Sequence, residues 1–532
     1  MDPACSRESE LMNRLWRDHM LKNCMNRPAL LTLLLASTFA GLVHAQTSHF
    51  DALANSAMVE GRPTAATSKT LKDELLFQRA TQTYLWALPL INTAGMKYGS
   101  EKTFGAGYNV LPVWKKRLDA KTLVTTPNSD VIYAMSYLDL GKDGPMVFEA
   151  PAGLQGILLD FWQRPISGPK INDNAFLGDV GFFGPDGGKG GKFLIVPPGY
   201  DKPVPDGYFV YRSRTNNVFV FLRSFYQDPA NLAPAVNLME QAKIYPLDGA
   251  NSAKPMQYPD ASGVPANMLP VSDFRAFEQI KMLIDSEGND IADPDWLGML
   301  ASIGIVKGKP FNPDAHTRAI LDRAAKTGYK MSRVIGIEDN VGGRSYRVYP
   351  DRNWLNPIAD GTPSNPGGAL DLAWNRTAGA YLDLDARIWF FTDYYSISPG
   401  MITQTPGKGA KYMIAFTDSK GSPLSGSSGY SLHLPPDIPA ANFWSVTLYD
   451  ASNASGLANG QPFPSLGSRD KPTQNADGST DLYFGPKPPA GKKSNWIATP
   501  PGKGYFAILR LYSPTEPAIE KNWKPGDIVK NR

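Results

Sequence analysis

Val131-Ile132-Tyr133-Ala134-Met135, Pro145-Met146-Val147-Phe148 and Gly156-Ile157-Leu158-Leu159-Asp160-Phe161-Trp162 follow one another as short apolar runs. Each is bounded by Gly, Pro, Asp or Asn. Runs of this length, rich in β-branched and aromatic residues and cut by turn formers, read as strands. Phe193-Leu194-Ile195-Val196 and Tyr208-Phe209-Val210-Tyr211 continue the series. Their regular spacing indicates an all-β sandwich. The glycine-rich stretch from Gly184 to Gly191 is a hairpin loop by composition. It lacks the Gly-Lys-Ser/Thr ending of a phosphate-binding loop, and no helical pattern follows it.

Outward from this block the period changes. From Ser68, a candidate cap, Leu71, Leu75, Leu76 and Leu85 recur on one helical face until Pro89. On the other side, Asn217 to Ala242 reads as amphipathic. Ser272 to Ile284 is a clearer helix, with Phe274, Phe277, Ile280, Met282 and Leu283 on its apolar side. Asp295 to Ile303 and Asp314 to Val334 continue the helical period. Tyr346 to Gly379, rich in Pro, Gly and Asn, reads as a long ordered connection. From Tyr412 the strand signals return in Tyr412–Phe416, Ala441–Tyr449, Thr480–Phe484 and Tyr505–Tyr512, with Asn459-Gly460 and Asp477-Gly478 as turns. This predicts a second β-sandwich, of jelly-roll type. The expected organisation is a leader over 1–45, a flexible segment over 46–67, an N-terminal β-sandwich with its leading helix over 68–225, a helical middle part over 226–345, and a connection with the C-terminal β domain over 346–532.

The leader limits the chemistry. Asn26 and Arg27, the apolar run Ala29 to Val43, and Val43-His44-Ala45 have the order of a signal peptide cleaved before Gln46. Met20 or Met25 then reads as the true start. Both cysteines, Cys5 and Cys24, lie upstream of that site, so a mature chain has no thiol and retains His49, His316 and His433. The expected location is the periplasm or the exterior, with no transmembrane anchor after cleavage. A net charge of +4 over 532 residues gives no reason to expect nucleic acid as a partner. The 42% apolar and 20% charged fractions are those of a folded chain. A sandwich protein of this size is open to oligomerisation, and nothing in the sequence counts subunits.

Two sets of motifs stand out. The first is Thr125-Thr126-Pro127-Asn128-Ser129-Asp130-Val131-Ile132-Tyr133, followed by Leu138-Asp139-Leu140 and Gly144-Pro145. The second is Asn442-Phe443-Trp444-Ser445-Val446-Thr447-Leu448-Tyr449-Asp450, then Asn475–Ser479, Asn495-Trp496 and Leu509-Arg510-Leu511-Tyr512-Ser513-Pro514. In this order they resemble the exported two-domain family that joins domain of unknown function 1254 to domain of unknown function 1214. The likeness covers roughly Leu75 to Val529. One loop departs: Ile497-Ala498-Thr499-Pro500 stands where the family tends to have Leu-Pro-Ala-Pro. The resemblance implies an immunoglobulin-like sandwich, a helical middle part and a C-terminal jelly roll. It implies no settled activity.

No Gly-x-Ser-x-Gly elbow accompanies the scattered histidines, so a Ser-His-Asp hydrolase has little support. A histidine-rich metal site has less, and no metal ligands are assigned. Carboxylates at strand ends remain, and a pair of them can protonate a leaving group and activate water. Asp130 and Asp477 are the candidate catalytic pair. Asn128, Tyr133, Trp496 and Arg510 are the candidate substrate-binding residues. Arg510 sits between Leu509 and Leu511, so strand alternation sends it to the face opposite theirs. Asn475 to Asp481 has the alternating oxygens of a calcium loop but lacks the closing Glu of an EF-hand, and an Asp-Gly hairpin explains it better. No cofactor is expected. The activity expected from these residues is hydrolysis of a polar envelope or nutrient molecule by carboxylate acid–base chemistry. The alternative is a non-catalytic envelope protein that binds a glycan, a small polar molecule or another protein.

Overall fold

The computed structural model describes residues 48–172, 174–249, 252–337, 340–341, 344–345, 347–356 and 382–531. The expected signal peptide and most of the expected Tyr346–Gly379 connection lie outside the described residues. The chain divides into two compact units, 1–75 and 76–532. In the first, Met58–Val59 pairs with Arg62–Pro63 as a short antiparallel hairpin, and the helix Ala65–Trp86 begins.

The second unit is mixed β and helix, with four larger sheets in two pairs. The N-terminal pair has a six-stranded sheet, ordered Lys243–Pro246, Met146–Ala150, Gly191–Val196, Phe209–Arg212, Ser167–Ile171, Asn174–Leu177. Its partner, the N-inner sheet, is ordered Ile132–Asp139, Asn217–Ser224, Gln155–Asp160, Asp179–Val180. Val220, Leu222 and Leu158 of the inner sheet pack with Phe148, Phe193 and Ile195 of the other to make one core. The strand Lys243–Pro246 pairs with Met146–Ala150, so the N-terminal sheets draw on residues beyond 225.

The C-terminal pair repeats the arrangement. The C-inner sheet is ordered Ala410–Ala415, Tyr505–Pro514, Ala440–Asp450, Ser465–Gly467. The C-outer sheet is ordered Trp496–Ala498, Thr480–Gly485, Tyr430–Leu434, Val529–Lys530. Leu509, Leu511, Val446 and Leu448 meet Leu432, Leu482 and Phe484 in the core between them.

The two inner sheets are buried on both faces. Alternation sends Tyr133, Met135, Phe219 and Phe221 away from the N-terminal core, and Phe443, Tyr449, Ile508 and Tyr512 away from the C-terminal core. All eight join a third cluster, together with Phe277 and Ile280 of the helix Arg275–Ser286 and Trp389 and Phe391 of the helix Leu384–Asp393. This central layer holds the two motif sets.

Three expectations need correction. Asn217 to Ala242 is not helical at its start: Asn217–Ser224 is a central strand, and helix is limited to Ala233–Met239. Phe219 and Phe221 face one core while Val218, Val220 and Leu222 face another, so no polar residue marks the period of two. Met282 is 48% exposed rather than packed with Phe277 and Ile280. The 346–532 part, read as a connection and a β domain, also carries a buried helix, Leu384–Asp393.

Candidate functional site

Thr125 to Tyr133 enters the central layer as a tightly tied loop and strand. Thr126 is a β-branched residue at φ +38°, a costly conformation that surrounding contacts must hold. They do. Its N–H donates to Ala454 O at 2.7 Å, its hydroxyl donates to Asp393 O at 2.7 Å, and its carbonyl accepts from Arg510 Nη2 at 3.2 Å. Asn128 Nδ2 bonds the Tyr133 hydroxyl, and Asn128 Oδ1 accepts from the Asp130 N–H. Asp130 Oδ2 accepts from the Ser445 hydroxyl at 2.6 Å and the Tyr512 hydroxyl at 3.2 Å. The Asp130 carbonyl accepts from Arg469 Nη1.

Arg510 comes from the other motif set. It pairs across the C-inner sheet with Tyr412 on one side and Ser445 on the other. The ring centroids of Tyr449 and Tyr412 lie 5.5 and 5.9 Å from its Cζ. Burial pushes the Tyr449 phenol up to about 12, with Arg510 pulling against it. Burial likewise raises Tyr133, with Arg223 and Arg510 opposing. These phenols are therefore neutral hydrogen-bonding groups rather than bases at ordinary pH.

Asp130, Asn128, Tyr133 and Arg510 thus come together. Asp477 and Trp496 do not join them. Asp477 is exposed in the hairpin that leads into the C-outer sheet, where it accepts from Ser479 N–H and hydroxyl at 3.0 and 2.6 Å. These bonds hold its carboxyl below the usual range. It is an Asx-turn residue. Trp496 lies in the C-outer sheet and donates Nε1–H to Gly485 O at 2.9 Å. The C-terminal core separates this sheet from Arg510, so the expected Asp130–Asp477 pair is not formed.

The open space is elsewhere along the same interface. A cleft of about 310 Å³ lies beside Tyr412 and Tyr512. Gln155 and Arg223 enter from the N-inner sheet as direct cross-strand neighbours, and Arg223 is also paired with Tyr133. Phe182 and Phe183 stand on a loop above, with Lys408 Nζ 5.1 Å from the centre of the Phe182 ring. Asn442 and Ser513 complete the polar rim. Arg223 is half-buried and, among the described residues, its guanidinium has neither an ion pair nor a hydrogen bond. The cleft wall contains no carboxylate. Behind it, Asp179 accepts from Gly400 N–H at 2.9 Å. Burial pushes its carboxyl up to about 6, against the pull of Ser398, Gly400 and Arg223. An added Cβ at Gly400 would lie 2.8 Å from the Phe183 ring, so only glycine fits there.

Sequence reasoning missed Arg223, Tyr412, Lys408 and Asp179. A signal existed for one: Arg223 follows a run of five apolar residues, Val218 to Leu222. Among the described residues, no group of three or more His, Cys, Asp or Glu could hold a metal ion. Among the same residues, no helix is long and apolar enough to cross a membrane.

The family described as DUF1254, of unknown function, matches residues 108–246. The family described as DUF1214, of unknown function, matches residues 409–516. Among solved structures, the chain is similar to the VPA0106 protein of Vibrio parahaemolyticus, at 20% identity and a TM-score of 0.48, over 86% of this chain and 100% of that one. It is also similar to an uncharacterized protein of Burkholderia cenocepacia, at 12% identity and a TM-score of 0.37, over 94% of this chain and 98% of that one. No curated protein matches the sequence. The chain is thus a protein in which domain of unknown function 1254 precedes domain of unknown function 1214.

Proposed function

We propose that this is an exported binding protein that takes a small anionic organic molecule into the cleft between its two β units. The observation that carries the reading is Arg223: a half-buried guanidinium that, among the described residues, has no ion pair and no side-chain hydrogen bond, facing a cleft of aromatic rings with only the Asp179 carboxyl behind it in its field. A guanidinium in such a place recognises a carboxylate or a similar anion. Phe182, Phe183, Phe225, Tyr412 and Tyr512 offer apolar and π surface for the body of the ligand, and Gln155, Asn442 and Ser513 offer polar contacts at its edges. Export rests on the leader, with cleavage before Gln46. In this reading residues 68–225 are the immunoglobulin-like part, 226–345 the helical part and 346–532 the connection with the jelly-roll part.

Hydrolysis by a carboxylate pair has less support. Asp130 is engaged by Ser445 and Tyr512, and Asp477 is engaged in its own turn. A glycosidase-type site needs two carboxylates facing one open space.

The test is calorimetric titration of the mature chain with aromatic and aliphatic carboxylates and with their neutral amides. Carboxylates are expected to bind and the amides to bind at least tenfold more weakly, with affinity for carboxylates lost in Arg223→Gln. Equal binding of acid and amide, or an unchanged Kd in Arg223→Gln, would sink the reading. Turnover of ester or glycoside substrates that disappears in Asp130→Asn would replace it with the hydrolase.

A further inference from the structure

Arg510 is 1% exposed, in the middle of the strand Tyr505–Pro514. Taking a guanidinium out of water costs several kcal/mol unless a counter-charge and hydrogen bonds replace the solvent. One hydrogen bond does so, from Nη2 to the Thr126 carbonyl. Nε and Nη1 have no hydrogen-bond partner among the described residues. The Tyr449 hydroxyl neighbours the guanidinium, but it donates to the Pro127 carbonyl and leaves those two nitrogens unbonded. Asp130 is the carboxylate in the field of Arg510. Its Oδ2 is taken by Ser445 and Tyr512, and no ion pair joins it to Arg510 among the described residues.

The surroundings are phenols. Tyr412 and Tyr449 present their rings to the guanidinium, and cation–π attraction offsets part of the burial cost. It does nothing for N–H groups in the guanidinium plane. The Tyr394 hydroxyl is a second buried group without a partner. Its ring stands edge-on to Tyr412 with centroids 6.3 Å apart. Burial works against the charge on Arg510, and the Asp130 carboxylate works for it.

We propose that Arg510 holds a small monovalent inorganic anion, of halide size, in a buried cage completed by the Tyr394 hydroxyl. Such an anion accepts from N–H and O–H donors in any direction, so a single one can serve Nε, Nη1 and the Tyr394 hydroxyl, which Asp130 does not reach with a hydrogen bond. Phosphate carries more charge than one guanidinium offsets. This site goes beyond the cleft reading and does not depend on it: Arg223 belongs to the opposite β unit.

The probe is bromide, applied to the mature chain against sodium isethionate at matched ionic strength. Saturating bromide is expected to raise Tm by about 2–4 °C, and bromide-soaked crystals should give an anomalous peak beside Arg510 Nε and Nη1. Tyr394→Phe keeps the ring and removes one donor, and should raise the half-saturating bromide concentration about 3- to 10-fold. Arg510→Met should abolish the response; should that variant fail to fold, Tyr394→Phe carries the test. Arg223→Gln should keep the full bromide response. An absent anomalous peak at Arg510, an unchanged bromide dependence in Tyr394→Phe, or loss of the response in Arg223→Gln would each overturn the proposal.

Discussion

Ser445 donates its hydroxyl proton to Asp130 Oδ2 at 2.6 Å, across 315 residues of sequence and across the boundary between the two β units. The bond is buried, and its acceptor is a carboxylate that Tyr512 also serves. Ser445→Ala therefore removes one of two donors from a buried carboxyl group. The expected loss is about 1–3 kcal/mol, read as a lower urea midpoint with an unchanged m-value. Asp477→Asn makes the contrast. Asn supports the same turn, so its midpoint should move by no more than about 0.5 kcal/mol.

Arg333 and Asp393 form a buried ion pair that fastens the helix Ala315–Ile337 to the helix Leu384–Asp393. Burial pushes the Asp393 carboxyl up, and the Arg333 charge pulls it back. Arg333→Met strands that carboxyl and should cost about 3–5 kcal/mol. Replacing both partners with apolar residues should recover most of the loss. A double-mutant cycle in urea measures both.

Asp179 gives the chain a pH dependence with a definite sign. Its folded pKa of about 6 lies above the ordinary 3.8. Between these values the folded state binds more protons than the unfolded one, so stability falls as pH rises. The contribution of this group is fully present below the ordinary value and is lost as pH passes about 6. The change amounts to about 3 kcal/mol. Asp179→Asn should flatten the decline, as read from urea midpoints taken between pH 4 and pH 7. A decline of equal slope in the variant would assign it to other groups.

Gly400 lets the Pro399–Ile402 turn pass close to the Phe183 ring and Asp179. Gly400→Ala drives a methyl group into that ring and should lower stability by about 1–3 kcal/mol. Because Phe183 lines the cleft, the same change should weaken binding of any carboxylate that the wild type takes up, as read by calorimetry.

Much of the β framework is legible in the chain. Gly156 to Trp162 and Tyr505 to Tyr512 read as strands because β-branched and aromatic residues end at turn formers, and both form strands. Asn217 to Ser224 escaped because two cores claim its two faces, which removes the polar alternation that marks a half-buried strand. Leu384 to Asp393 escaped for a similar reason: nearly all of it is buried, so no polar stripe marks its period. At the candidate site, Asp130 was legible as a carboxylate at a strand end and Arg510 as a charge between two leucines, both in recognisable motifs. Asp477 was mistaken for their partner because a turn aspartate and a catalytic one look alike in one dimension. Arg223 was marked only by the apolar run before it, and Asp179 gains its character from what folding brings beside it, which no spacing in the sequence encodes.

The face of the C-inner sheet that carries Phe443, Tyr449, Ile508 and Tyr512 is covered only because the N-inner sheet and the helices lie against it. Cut away from residues 76–381, the C-terminal unit would keep its own core and still present a broad sheet of aromatic and aliphatic side chains to water, a surface that invites aggregation. The N-terminal unit would be left with the matching face of Tyr133, Met135, Phe219 and Phe221. Each half is thus an obligate client of the other, and truncation at the boundary between the two domains of unknown function would yield insoluble fragments rather than two smaller working proteins.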